Sequence, residues 1–300
     1  MNKIKKIAYL SATFMVLSSS LLADGYQLEL SKPINSNAGE NYYPDLVLPM
    51  SWNQNFNSSL EFRIGEQKDN FVENGSNAGT LSIDEKIKHS RLKLNLLNYK
   101  INKMYSSYSF GIGASYDTFK KNQVGDSDNY ENFNGTYTNN IDIEVLAYYL
   151  KLETILKDNS FDVKIYALMM PISNLKVTQN TELVGNINNT LTDSSSQEQD
   201  FNYELDLNFI SKSQTFVDLG FNANYRFLPL SYDLNGDNIA YDETTIKLKA
   251  SLFFNFEILD GWMPTIAYST ETISTTTNAG VENIDDRTED KIYLGFNTRF

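Results

Sequence analysis

Charged residues in this 300-residue chain recur at every second position in short runs, and that spacing limits the chemistry they can do. Glu61 and Arg63, Arg91 and Lys93, Glu204 and Asp206, and Lys247 and Lys249 are each separated by one residue, and Asp218 stands alone between Val217 and Leu219. In an extended strand, side chains two apart share a face. Each pair therefore presents two charges to one side, an arrangement suited to gripping ions or small polar solutes.

Catalytic constellations are poorly supplied. One His and no Cys exclude disulfides, thiolate metal sites and cysteine nucleophiles. His89 and Ser90 are neighbours, so in a strand they point to opposite faces and cannot act as a base–nucleophile pair. The expectation is a protein that is not an enzyme. Asp233-Leu234-Asn235-Gly236-Asp237 places oxygen ligands at alternate positions, as an EF-hand loop does, which makes Asp233, Asn235 and Asp237 a Ca²⁺ candidate. Glycine falls at the fourth position of that loop and Thr244 replaces its closing Glu, so an Asx-rich turn competes with the metal reading. No other cofactor is expected. Gly111 and Gly113 lack the third glycine of a dinucleotide fingerprint and fit better as small residues in a strand beside a bulky inner neighbour. With 38 acidic against 25 basic residues and a net charge of −13, nucleic acid is excluded as the main partner.

The elements that carry these charges have a period of two. Tyr108, Phe110, Ile112, Ala114 and Tyr116 alternate with small or polar residues, and so do Leu60/Phe62/Ile64, Leu92/Leu94/Leu96, Phe161/Val163/Ile165/Ala167, Phe201 to Phe209, Phe221 to Phe227, Ile246 to Phe254 and Ile266/Tyr268. The 19 Tyr and 18 Phe against 6 Pro suit strands of this kind. Two segments are less regular, Pro44–Trp52 and Ile141–Leu152. In the second, apolar residues move from odd positions (Ile141, Ile143, Val145) to even ones (Leu150, Leu152), which predicts a bulge across Leu146–Tyr149. Residues 1–23 read as a cleaved secretory signal, with Lys3, Lys5 and Lys6 before an uncharged run, and residues 24–300 as one domain.

Connections alternate between short and long. Short turns are expected near Asn55–Ser58, Tyr99–Lys103, Leu156–Ser160, Ser211–Thr215 and Leu259–Gly261. Long polar loops are expected over Asn35–Tyr43, Gln67–Lys86, Lys120–Asn139, Ile172–Asp200, Asp233–Glu243 and Ser274–Asp290. This rhythm gives about twelve strands with both termini on one side. Trp52, Phe56, Tyr105, Phe161, Phe216, Trp262 and Phe300 cluster beside the short turns, where an interfacial girdle belongs.

The last strand carries a resemblance. Ile292, Leu294, Phe296 and Phe300 share one face, Tyr293, Gly295, Asn297 and Arg299 take the other, and the sequence ends on Phe300. This pattern resembles bacterial outer-membrane β-barrel proteins of the porin-like class, and the resemblance implies an all-β, antiparallel up-and-down transmembrane barrel. It also implies that Tyr293, Gly295, Phe296 and Phe300 form the terminal signal read by the barrel-assembly machinery, and that outer-membrane lipid and lipopolysaccharide surround the chain.

If the apolar faces meet lipid, the alternate residues line the interior. Besides the charges already named, these include Asp142, Glu144, Asp162, Lys164, Arg226 and Arg299. About twelve strands at ~4.8 Å spacing and ~45° tilt give a backbone radius of about 13 Å, which side chains reduce to a few ångströms. The leading expectation is a narrow passive channel for ions or small hydrophilic solutes, with acidic outer loops that attract cations. The alternatives are a barrel plugged by cross-lumen salt bridges that serves structure or surface interaction, and, less supported, an outer-membrane hydrolase.

Overall fold

The computed structural model describes residues 27–34, 43–51, 55–75, 79–199, 201–212, 216–234, 237–255, 263–277 and 287–297. These residues form thirteen strands: β1 Gln27–Pro33, β2 Tyr43–Ser51, β3 Phe56–Asn74, β4 Thr80–Asn102, β5 Ser106–Tyr130, β6 Phe133–Lys157, β7 Phe161–Gly185, β8 Asn189–Gln199, β9 Asn202–Ser211, β10 Val217–Leu234, β11 Asp237–Phe254, β12 Met263–Thr277 and β13 Arg287–Asn297. Residues 1–23, expected from the sequence to be a signal, lie outside them. Every pairing is antiparallel, and β1 closes the wall on β13 from Gln27↔Asn297 to Pro33↔Lys291. Thirteen strands fill twelve positions around the ring, because β7 pairs with β8 through its Ser173–Leu183 half and with β9 through its Phe161–Met170 half. The all-β barrel and the strand number near twelve thus agree with the sequence reading.

The face assignment in the membrane section follows the alternation. Phe110, Ile112, Leu152, Ile165, Leu205, Phe221, Leu248, Ile266 and Leu294 are exposed on the outer wall, while Ser109, Ser115, Lys93, Glu204 and Asp218 are buried within. On β5 the outward apolar run Tyr108–Tyr116 rises about 20 Å at ~3.3 Å per residue and ~45° tilt, close to the band a bilayer requires. Aromatic side chains edge it. Near the short turns Phe56 lies 5.1 Å from Tyr99 and Phe161 stacks on Phe209 at 6.0 Å; at the other rim Tyr203 stacks on Tyr225 and Phe227 at 5.9 and 5.4 Å. Trp52, Trp262 and Phe300 lie outside the described residues.

Most of the loops expected from polarity are instead strand. β5 runs to Tyr130 and β6 starts at Phe133, so Lys120–Asn139 is a tight hairpin, with Glu131 and Asn132 in the left-handed backbone region that a two-residue turn demands. Gln67–Lys86, Ile172–Asp200 and Asp233–Glu243 are likewise hairpin arms, and Ser274–Asp290 begins and ends as strand. The reason is that a ladder satisfies its backbone in water as well as in lipid, so polarity alone does not mark a loop.

Above the bilayer the two faces exchange character. Val145, Leu175, Val177, Leu228 and Leu230 form a buried cluster inside the ring, with Ile141 and Ile143 packed against it. Asp142 and Lys120 pair at 3.1 Å on the outer face, with 45 % and 54 % of their side chains exposed. The odd face of β6 points inward along the whole described strand, so the shift of apolar residues from Ile141 to Leu150 is a change of surrounding medium and not of β6 geometry. This corrects the lumenal placement of Asp142 and Glu144. A register shift does occur between Tyr148 and Leu150, but the extra residue is in β7, between Met169 and Ile172. A second bulge at Leu96 turns both Leu96 and Leu97 outward.

Candidate functional site

The polar interior of the membrane section is a network of paired charges. Glu204 on β9 lies at its centre. Its carboxylate forms an ion pair with Arg91 Nη2 at 3.1 Å and accepts hydrogen bonds from Lys93 Nζ at 3.4 Å, both on β4, and from the Tyr166 hydroxyl and Asn224 Nδ2, each at 3.1 Å. Since β4 and β9 are four ring positions apart, the Arg91 and Lys93 contacts cross the lumen, whereas Tyr166 on β7 and Asn224 on β10 reach Glu204 from the neighbouring strands. Lys93 also meets Glu61 at 3.6 Å. Arg91 reaches Asp117 at 3.0 Å, and Arg226 on β10 holds the same carboxylate at 3.3 Å. The Lys93 and Glu204 side chains are each 2 % exposed, so their charges are compensated by one another and not by bulk water.

Two cavities adjoin this belt. The larger, about 160 Å³, is bordered by Asp45, Arg63, Asp206, Asn224, Lys247 and Lys249. The smaller, about 100 Å³, is bordered by Ser59, Lys93, Asn95, Lys151 and Glu153. Val47, Glu61, Lys164 and Tyr166 belong to both, so side chains, and not backbone, divide them. Arg63 pairs with Asp45 at 3.2 Å, Lys249 pairs with Glu29, and Glu153 takes Lys151 at 2.8 Å and Lys164 at 3.2 Å. Gly113 gives room to this interior. A Cβ there would overlap the Tyr149 phenol, whose hydroxyl donates to Asn95 Oδ1 at 2.7 Å. The bulky inner neighbour expected for the paired glycines is Tyr149.

The sequence-derived lumenal residues thus fall into three groups. Arg91, Lys93 and Glu204 meet in the cross-lumen belt; Arg63, Asp206, Lys247 and Lys249 border the larger cavity; Asp218, fully buried, stands apart near the short-turn end, in register with Phe253. Sequence reasoning did not single out Glu29, Asp45, Tyr166 or the Asn222–Asn224 pair. Each carried the same period-two signal, as in Leu28-Glu29-Leu30, but neutral or isolated polar residues drew less notice than paired charges.

The other candidates are placed as follows. Tyr293 is buried inside, with Lys247 and Lys249 at 5.3 and 4.2 Å from its ring centre, and Gly295 pairs with Glu29 and Thr265. Phe296 pairs with Leu28 on the lipid side, and Phe300 and Arg299 lie outside the described residues. Asp233 pairs with Asn238 and Asp237 with Leu234 in the β10–β11 ladder; Asn235 lies outside the described residues. His89 and Ser90 diverge as expected: Ser90 Oγ lies 2.8 Å from Thr118 Oγ1, while a Cβ on Gly65 would overlap the His89 ring. On the ribbons outside the bilayer, the hydrogen bond from the Tyr130 hydroxyl to Glu73 Oε2 at 3.2 Å raises the tyrosine pKa above its ordinary value.

No family model and no curated protein matches this sequence. Among solved structures, the chain is similar to the toluene transporter TodX of Pseudomonas putida, with a TM-score of 0.53 and 6 % identity over 95 % of this chain and 92 % of that one. It also aligns with the translocator domain of the autotransporter NalP from Neisseria meningitidis, with a TM-score of 0.41 and 10 % identity over 99 % and 96 % of the two chains. The likeness to TodX is one of fold. Taken with the outward apolar band, the aromatic rims and the charged interior, it shows the fold of an outer-membrane β-barrel, closed on twelve strand positions.

Proposed function

We propose that the barrel is a narrow passive channel for ions and small hydrophilic solutes. The observation that carries this reading is that Glu61, Lys164 and Tyr166 line both lumenal cavities, so that side chains, which rotamer changes can move, form the boundary between them. The many charged residues on both cavity walls favour a hydrated polar solute over an apolar one. Transport of toluene belongs to TodX; the interior charges here argue for a different cargo. On this reading the chain is a conduit and not an enzyme, and assembly uses the terminal strand with Phe296 toward lipid.

A second reading has its own support. Lys93 and Glu204 meet across the lumen with almost no exposure, as they would in a barrel sealed for structural or surface roles. Planar-bilayer recording of the purified protein separates the two. Discrete conductance steps are expected for the channel, and silence across a wide voltage range would leave the sealed barrel standing. A reversal potential in a dilute salt gradient then reads which sign of lumenal charge dominates.

A further inference from the structure

We propose that the larger lumenal cavity is a binding site for a small zwitterion, an amino-acid-sized molecule held between Asp206 and Lys247. The inference deepens the channel reading and rests on it for the route by which the solute reaches the cavity.

The argument starts from the charges on the cavity wall. Asp45 is engaged by Arg63 at 3.2 Å and Glu29 by Lys249. Glu61 is engaged by Lys93 at 3.6 Å, and Lys164 by Glu153 at 3.2 Å. Among the described residues, Asp206 and Lys247 alone on this wall make no ion pair, although they are only 7 % and 9 % exposed. A buried charge without a counter-charge in direct contact is costly, and here one of each sign borders a single cavity. A lone cation or anion would satisfy one and leave the other. A molecule carrying both charges satisfies the two together.

Register fixes the spacing. Asn224 on β10 pairs with Asp206 on one side and Lys247 on the other, so acid and base stand in one row two strands apart, about 10 Å between Cα atoms. Asn224 Nδ2 donates to Asp206 Oδ2 at 3.2 Å, and Asn222 Nδ2 donates to Oδ1 and Oδ2 at 3.1 and 3.0 Å. These amides fix the carboxylate without neutralising it. Lys247 leans the other way, its ammonium 5.3 Å from the Tyr293 ring centre on β13. The space left between them has Asn224 as its floor, with a solute ammonium directed to Asp206 and a solute carboxylate to Lys247. The cavity's 160 Å³ resembles the volume of about 150 Å³ that admits benzene, which sets the ligand at roughly six or seven heavy atoms.

The test uses the detergent-purified full chain and saturation-transfer NMR at neutral pH. L-alanine carries both charges; propionate and ethylamine carry one each. Alanine is expected to bind, with each single-charge analogue weaker by roughly tenfold or more, since each end forms a charge-assisted hydrogen bond. Asp206→Lys and Lys247→Glu should each abolish alanine binding, and the double swap should restore it with the ligand reversed. Heat-modifiable gel mobility confirms that each variant is folded. Equal binding of alanine and its analogues, or wild-type binding by both folded single variants, would overturn the inference. Conductance on the same preparations keeps the two readings apart: current without alanine binding defeats this site and leaves the channel, and binding without current defeats the channel and leaves the site.

Discussion

Among the described residues, the strands of this barrel are short on one side of the wall and long on the other. β1, β2 and β13 have 7, 9 and 11 residues, close to the nine to eleven that a bilayer crossing takes. β4 to β7 have 23 to 25. On the short side nearly every residue belongs to the membrane section, apolar outward and charged inward. The long side continues past the aromatic rim, and there Ile83, Ile87, Val145, Leu175 and Val177 turn inward while Asn122, Asp142 and Lys176 face water. One ladder of hydrogen bonds runs through both regions. The medium outside decides which face is apolar: lipid draws the apolar residues out, and water drives them in.

The comparison can be broken most severely at the membrane-level interior, which is held by charge. Glu204→Ala leaves Arg91 and Lys93 without their shared partner and should destabilise the barrel by about 3–5 kcal/mol, measured as a fall in the urea midpoint for loss of the folded band. Next comes the outer face. Phe110→Arg should cost about 2–4 kcal/mol, because the residue sits in the apolar band. On the same face of the same strand, Asn122→Arg should cost under about 0.5 kcal/mol, because water already surrounds it. Equal losses for the two would show that β5 does not leave the bilayer between them.

A smaller effect belongs to the inner face of the ribbons. Ile83→Val removes one methylene from a side chain 3 % exposed and should cost about 0.5–1.5 kcal/mol. Because it lies above the rim, faster protease nicking near the β3–β4 tip should report it before global unfolding does. Smallest is Asp142→Asn, which removes an exposed ion pair and should change stability by under about 1 kcal/mol. Conductance should be unchanged as well. A clear shift in ion selectivity would return Asp142 to the lumen.

Much of the barrel was legible because lipid imposes a rule on sequence. Wherever a strand crosses the membrane, one face must be apolar, and runs such as Tyr108–Tyr116 and Phe201–Phe209 announce it. Above the bilayer that rule lapses. Lys120–Asn139 is rich in Asn, Asp and Gly, residues common in loops, and only backbone pairing shows it to be a hairpin. The same lapse explains Ile141, Ile143 and Val145, whose odd phase is the soluble-protein pattern on a strand that also crosses lipid. For the site, the period of two identified which charges face inward but not which meet. Lys93 and Glu204 are separated by 111 residues and by four ring positions, and tilt and register decide that encounter.

The seam between β1 and β13 bears on how the chain reaches its fold. Gln27 pairs with Asn297, and the Glu29 carboxylate accepts from Asn297 Nδ2 at 2.7 Å, so the first described strand waits for the last. Closing a loop of that length costs about 5 kcal/mol of chain entropy, and no partial ring recovers it. Until β13 arrives, β1 and β12 are bare edges able to pair with any other strand. The wall therefore closes only when the last described strand is in place, and contacts so distant in sequence are of the kind that slow folding.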